Sequence, residues 1–326
     1  EAVIKGFEAC TRIGNSVGPK HYKIWHNTAT CGTFGAAYAA GTLMGLTSGE
    51  LRHALGNAGT QSSGLWEFVE TGSMSKHLHA GSAGQSGLIA AELARHGFSG
   101  SPTILEGDRG FYAACCPDAT PEEILTNPES KWQIHQTSIK PWPCCRHTHP
   151  AIDAAIELSS KIDGEFPESI AVGLTQATID VCDNPIPQTV YEAKFSVQHC
   201  VSVAIMNGEV GFDSFESEAR WRTKPLNKAI TLLCDKKLEK RYPEAWGANI
   251  KAEMKDGKEI MIHRDNAKGD PDAPLSPKEM KEKAIMLFNH AGIEKPLKWI
   301  EKILCIHKGN SSFSENDFYQ LLNLKA

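Results

Sequence analysis

Ten cysteines are present, yet no C-x-x-C motif occurs among them. The nearest sets are the adjacent pairs Cys115-Cys116 and Cys144-Cys145. Neighbouring cysteines are poorly placed to chelate one zinc or to bridge to each other. That spacing disfavours a zinc module and a disulfide framework and predicts buried, reduced thiols in a cytoplasmic-type protein. A basic stripe is also missing: the net charge is −5, with lysines and arginines scattered among acids, which argues against a nucleic-acid partner. No run approaches the eighteen apolar residues of a membrane span, and no signal-peptide pattern opens the chain. Nor is there an initiator methionine. Glu1 is followed by Ala2-Val3-Ile4, inside an apolar pattern, so the N-terminus reads as a cut. Internal repeats and low-complexity tracts are absent. What remains is an ordinary globular composition, 41% apolar and 22% charged over 326 residues, long enough to predict two domains.

Residues 1–115 read as helices. Thr33 to Met44 mixes small residues with larger ones, a composition suited to a helix packed closely on its neighbours. After a break at Gly45-Leu46-Thr47, Ser48 is the expected N-cap of a second helix carrying Leu51, Ala54, Leu55 and Ala58 on one face. A third is expected from Gly81-Ser82-Ala83, running through Gly87 to His96 and stopping at Gly97. The character changes between about 132 and 265. Ser169–Thr175 and Ala229–Leu233 carry a strand's β-branched bias, and Asn249–His263 splits around Asp256-Gly257 as a hairpin does. Between them, Ala193–Met206 reads as one helix. From Ser276-Pro277-Lys278-Glu279 the chain returns to helix, with a capping box and proline at the first position. The predicted fold class is mainly α with an α+β insert: a helical domain over 1–134, an α+β lid over 135–264, and C-terminal helices over 265–326 that rejoin the helical domain.

Four segments carry a resemblance, in order along the chain: Trp25-His26-Asn27-Thr28-Ala29-Thr30-Cys31-Gly32-Thr33-Phe34-Gly35-Ala36-Ala37, Lys76-His77-Leu78-His79-Ala80-Gly81-Ser82-Ala83, Lys140-Pro141-Trp142-Pro143-Cys144-Cys145-Arg146-His147-Thr148-His149, and Glu192-Ala193-Lys194-Phe195-Ser196-Val197-Gln198. Each is similar to a segment of the MmgE/PrpD family, at about the family's spacing. The resemblance implies a helical domain built from both chain ends plus an α+β lid, an active site in the cleft between them, and a homodimer. It also implies di- or tricarboxylate substrates handled without an iron–sulfur cluster or other cofactor. In relatives an aspartate, a threonine and a further histidine lie upstream of the position of Glu1.

Dehydrating a 2-hydroxy polycarboxylate removes a proton beside a carboxylate, a weakly acidic position, and protonates the departing hydroxyl. Decarboxylation of cis-aconitate makes similar demands. The substrate's two or three negative charges call for converging Lys, Arg and His. His26, before the small-residue helix, can project into a cleft, cap that helix or pack beside Trp25; the resemblance implies proton transfer. Lys76 either binds carboxylate or is solvated, and the resemblance favours binding. His79 is a substrate contact or a buried, satisfied histidine. Lys140, in a proline-stiffened loop, matches a family active-site lysine. His149 is a further substrate-binding candidate, with Arg146 and His147 weaker ones. Lys194 contacts substrate or lies on an exposed helix face. Ser196, Gln198 and the turn Gly107–Phe111 read as structural.

The resemblance implies a metal-independent hydro-lyase acting on a 2-methylcitrate-type substrate, with catalytic His26, Lys76 and Lys140 and substrate-binding His79, His149 and Lys194. Within the family, cis-aconitate decarboxylase or a dicarboxylate epimerase remains open. Outside it, a degenerate, non-catalytic carboxylate-binding protein does.

Overall fold

The computed structural model describes residues 1–126, 132–162 and 164–306, together with the isolated positions 314, 316, 317 and 320. The end of the helical segment expected over 265–326 therefore lies outside the described residues. The fold is mainly helical with one small mixed sheet, and the chain divides into two compact units, residues 1–137 and 138–326.

In the first unit, helices α1 (Ala2–Ser16), α2 (Asn27–Leu43), α3 (Ser48–Gly59) and α4 (Ser75–Arg95) pack on one another, with α2 against the other three. Helix α2 buries residues on nearly every side, Ala29, Thr30, Cys31, Thr33, Phe34, Gly35 and Ala37 among them. A helix without a polar face is a core helix. Close approach is what its small residues provide. A Cβ on Gly35 would lie 2.6 Å from the Cys10 Cβ of α1, and one on Gly87 of α4 would lie 2.4 Å from the Ala36 Cβ.

Two helix starts differ from expectation. The N-cap of α3 is Thr47, not Ser48. Its hydroxyl accepts from the Glu50 N–H at 3.3 Å and the Glu50 carboxylate accepts from the Thr47 N–H at 2.7 Å, and the box closes only when cap and Glu are three apart. Helix α4 begins at Ser75, six residues before the expected Gly81, so Lys76, His77 and His79 lie on the helix itself. Burial of His79, Ala83, Gly87 and Ala90 along one face outweighs the roughly 1 kcal/mol that each glycine costs a helix.

In the second unit, β1 (Ser169–Leu174), β2 (Ile230–Cys234), β3 (Ala248–Glu253) and β4 (Glu259–Arg264) form a sheet in the order β2-β1-β3-β4. β1 and β2 run parallel and the other pairs antiparallel. The expected hairpin forms, with Gly257 at φ +82°, a left-handed turn position that favours glycine. Alternation places Val172, Ile250 and Ile262 side by side on the inner face. Helix α5 (His149–Ser159) packs on β3 and β4, and also on α6 (Val197–Asn207). The single helix expected over 193–206 is instead two. A short turn, Val190–Ala193, ends at Lys194, and α6 starts afresh with the Ser196 hydroxyl accepting from the His199 N–H at 3.0 Å. Ser competes well for such capping positions. Helices α7 (Pro277–His290) and α8 (Pro296–Ile306) follow, and α7 opens with the expected Ser276–Glu279 capping box and Pro277 at the first turn.

Candidate functional site

The segment leading into α2 is fixed before it reaches His26. His21 is fully buried, its Nδ1 2.9 Å from the Cys115 carbonyl and its Nε2 2.9 Å from the Thr30 hydroxyl. Residues 24–26 then pair with 64–66: the Trp66 N–H donates to the Ile24 carbonyl at 3.1 Å and the His26 N–H to the Gly64 carbonyl at 2.9 Å. The Trp66 indole N–H donates to the Trp25 carbonyl at 3.0 Å. His26 stands at the N-cap position of α2, yet its side chain makes no capping bond, and the ring packs on Trp66 and Phe68 rather than on Trp25.

Three of the predicted residues meet here. The His26 and His79 Nδ1 atoms are 3.1 Å apart, and both rings are largely buried, at 7% and 9% exposure. Trp66 lies edge-on to His26, with ring centroids 4.8 Å apart. Phe68 packs against both histidines, 5.9 Å from His26 and 5.5 Å from His79. The Lys76 Nζ sits 5.9 Å from the centroid of the Trp66 ring, where the ring face attracts a cation. Burial, then the Lys76 charge, then His79, push the His26 pKa down to about 4, and burial lowers that of His79. At neutral pH the site presents uncharged imidazoles beside a cation. A buried cluster of perturbed titratable groups beside a cation marks this as a candidate functional site.

Sequence reasoning passed over Trp66, Phe68 and Gly64, which complete the cluster. Their signal was slight: an aromatic pair spaced by one residue, eight positions before Lys76.

The second unit holds the other three candidates, and among the described residues no hydrogen bond or ion pair joins them to one another. Lys140 is exposed on its loop. That loop is pinned on both sides: the Ile139 N–H donates to the Gly269 carbonyl at 2.8 Å, and the Trp142 indole donates to Asp153 at 3.0 Å. Gly269 has φ +90°, and a Cβ there would lie 1.9 Å from the Ile139 carbonyl oxygen. Gly269→Ala is therefore expected to cost about 2 kcal/mol or more and to shift the Lys140 loop. Denaturant titration reads this, and an unchanged midpoint would contradict it.

His149 opens α5 fully buried beside Cys144, and neither ring nitrogen makes a well-formed hydrogen bond among the described residues. Lys194 is half-buried, its Nζ 5.8 Å from the centroid of the Phe215 ring, and its carbonyl accepts from the Cys145 N–H at 2.9 Å. Arg146 is committed locally. It pairs with Asp270 and stacks on Trp246 at 4.7 Å. His147 packs on the same indole at 4.5 Å. Ser196 and Gln198 are structural, the former capping α6 and the latter donating to Asp183 at 2.6 Å. Among the described residues no three His, Cys, Asp or Glu side chains stand where they could hold a metal ion. No helix there is long and apolar enough to cross a membrane. All ten cysteines are free thiols.

Burial lowers the pKa values of His21, His26, His79 and His199 alike. Folding thus releases protons that the unfolded chain binds below about pH 6.5, and stability is expected to fall as pH drops from 6.5 toward 4. His26 alone contributes about 2 kcal/mol, discounted for the part of the ring that touches solvent. Melting curves at pH 7.5, 6 and 5 test this. A flat melting temperature would count against it.

Residues 1–124 match the MmgE/PrpD N-terminal domain and residues 142–305 the MmgE/PrpD C-terminal domain. Human cis-aconitate decarboxylase is 25% identical over 302 residues, covering 88% of this chain and 60% of the human protein. The mouse protein of the same name is 26% identical over 271 residues, covering 80% and 55%. An Aspergillus terreus cis-aconitate decarboxylase is 31% identical over 176 residues, covering 51% and 35%. The chain spans less than two thirds of the length of each of these relatives. With both domain signatures present in order over most of its length, the chain belongs to the MmgE/PrpD family.

Proposed function

We propose that the protein is a lyase acting on a small polycarboxylate, with cis-aconitate as substrate and decarboxylation as the reaction. The observation that carries this reading is the uncharged His26–His79 pair, walled by Trp66 and Phe68 and flanked by the Lys76 cation. The names of the relatives move the substrate from the 2-methylcitrate expected from the sequence to cis-aconitate. In the reaction, the carbon–carbon bond to one carboxylate breaks and carbon dioxide leaves. The electron pair left on carbon then takes a proton. Lys76 holds a remaining carboxylate, and His26 handles the proton. A bound carboxylate also offsets the Lys76 charge, so the His26 pKa rises on binding and the proton equilibrium becomes useful near neutrality.

The test is turnover of cis-aconitate, citrate and 2-methylcitrate by the purified protein, followed by NMR together with carbon dioxide release. Carbon dioxide from cis-aconitate, with KM raised about tenfold or more in Lys76→Met, is the expected result. Loss of water from 2-methylcitrate without decarboxylation would return the reaction to a dehydratase. No turnover of any of the three would overturn the lyase reading.

A further inference from the structure

The His26–His79 contact fixes more than the position of a base. The two rings meet through their Nδ1 atoms at 3.1 Å, and a hydrogen bond between two imidazole nitrogens needs one N–H and one lone pair. When neither ring is charged, the two must be opposite tautomers. The ring that donates carries its only proton on Nδ1, leaving a lone pair on its Nε2. The ring that accepts carries its proton on Nε2. The pair therefore presents one basic and one acidic Nε2, and among the described residues neither Nε2 makes a hydrogen bond. Trp66 and Phe68 hold His26, and Phe68 holds His79. The missing Gly64 Cβ leaves room for the His79 ring, since a Cβ there would lie 3.3 Å from it.

We propose that His79 is the second half of a proton relay with His26, not a substrate contact, a proposal that rests on the reading of His26 as the proton-transfer group. In the delivering state the His79 Nδ1–H donates to His26 Nδ1, and the His26 Nε2–H faces the reacting carbon. As that proton passes to the carbon left by departing carbon dioxide, the bridging proton crosses from His79 to His26. In the same step His79 Nε2 takes a proton from solvent, so neither ring is left as an imidazolate, and solvent exchange in the opposite direction restores the starting tautomers before the next turnover. One proton enters at His79 and one leaves at His26, and the pair ends in the mirrored tautomers. A lone neutral imidazole giving up its only N–H would become an imidazolate. The paired ring does not, so a histidine kept uncharged by its surroundings can still act as an acid. Run in reverse, the same path removes a proton from substrate.

The relay is tested on full-length protein carrying ¹⁵N-labelled histidine, with His26→Gln and His79→Gln assigning the two rings. Long-range ¹H–¹⁵N spectra at pH 7 are expected to show one ring as the Nδ1–H tautomer and the other as Nε2–H, with a strongly deshielded bridging proton. Two Nε2–H rings, or either ring titrating alone near pH 6.5, would overturn the proposal whatever the activity. His79→Asn keeps a polar group at the Nδ1 position but cannot pass a proton. With cis-aconitate, kcat is expected to fall about 10²-fold or more, with KM within threefold of wild type. A raised KM at unchanged kcat would make His79 a substrate contact and overturn the relay. If no polycarboxylate turns over while the tautomers remain opposite, the lyase reading fails and the proton-sharing pair stands.

Discussion

Replacing His26 by glutamine is expected to lower turnover by about 10²–10⁴-fold, the range that a positioned acid–base group contributes. The loss should lie mainly in kcat, because the Lys76 charge proposed to hold substrate is untouched. The fold should survive, since the His26 N–H to Gly64 carbonyl bond belongs to the backbone and the ring makes no capping bond to α2. Removing a ring that resists charging also removes part of the acid sensitivity, so the variant's melting temperature should fall less than that of wild type between pH 6.5 and 4. Steady-state kinetics beside pH-dependent melts read both effects. A variant within threefold of wild-type kcat would remove His26 from the chemistry.

Gly64→Ala should disturb the site through both packing and backbone conformation, since Gly64 has φ +158°. The added methyl would lie 2.4 Å from the Cβ of Ala29, in the first turn of α2, and 3.3 Å from the His79 ring. Overpacking of this kind costs about 1–3 kcal/mol, a melting temperature lower by several degrees. Displacing the two rings by a few tenths of an ångström should also lower kcat about tenfold to a hundredfold. Ala29→Gly removes the opposing methyl but leaves the φ of residue 64 and the His79 contact, so the double variant should recover part of the stability, with a non-additive coupling that neither single change shows. If Gly64→Ala matched wild type in both melting temperature and kcat, the tight contact at this turn would be refuted.

The elements legible in the sequence were those set by local chemistry. Ser276 and Glu279 stand three apart and close a capping box, and Asp256-Gly257 makes its hairpin from the turn outward. Where two local signals competed, the spacing decided. Thr47 and Ser48 are both good caps, and only Thr47 stands three residues before Glu50. Helix α4 starts at Ser75 rather than at the expected Gly81, because the neighbours that bury His79 and Ala83 come from elsewhere in the chain. His26, Lys76 and His79 were found through motifs. Their mutual arrangement was not, because it depends on the pairing of residues 24–26 with 64–66, some forty positions apart. No periodicity or spacing encodes the resulting Nδ1 to Nδ1 contact. For Arg146 the sequence offered a cation, and the structure offers Asp270 to occupy it.

Helix α2 is enclosed on nearly every side, and His26 sits at its first turn. Amides in such a helix exchange with solvent only when the unit as a whole opens. Deuterium uptake over residues 30–37 should therefore be among the slowest in the chain, while the exposed Lys140 loop should label within the first minutes. His26, the proposed proton-handling group, is thus anchored to one of the most enclosed helices of its unit. Evolution of a new substrate preference has a costly route through α2, where an atom added at Gly35, or opposite Ala36 at Gly87, meets a neighbour at once.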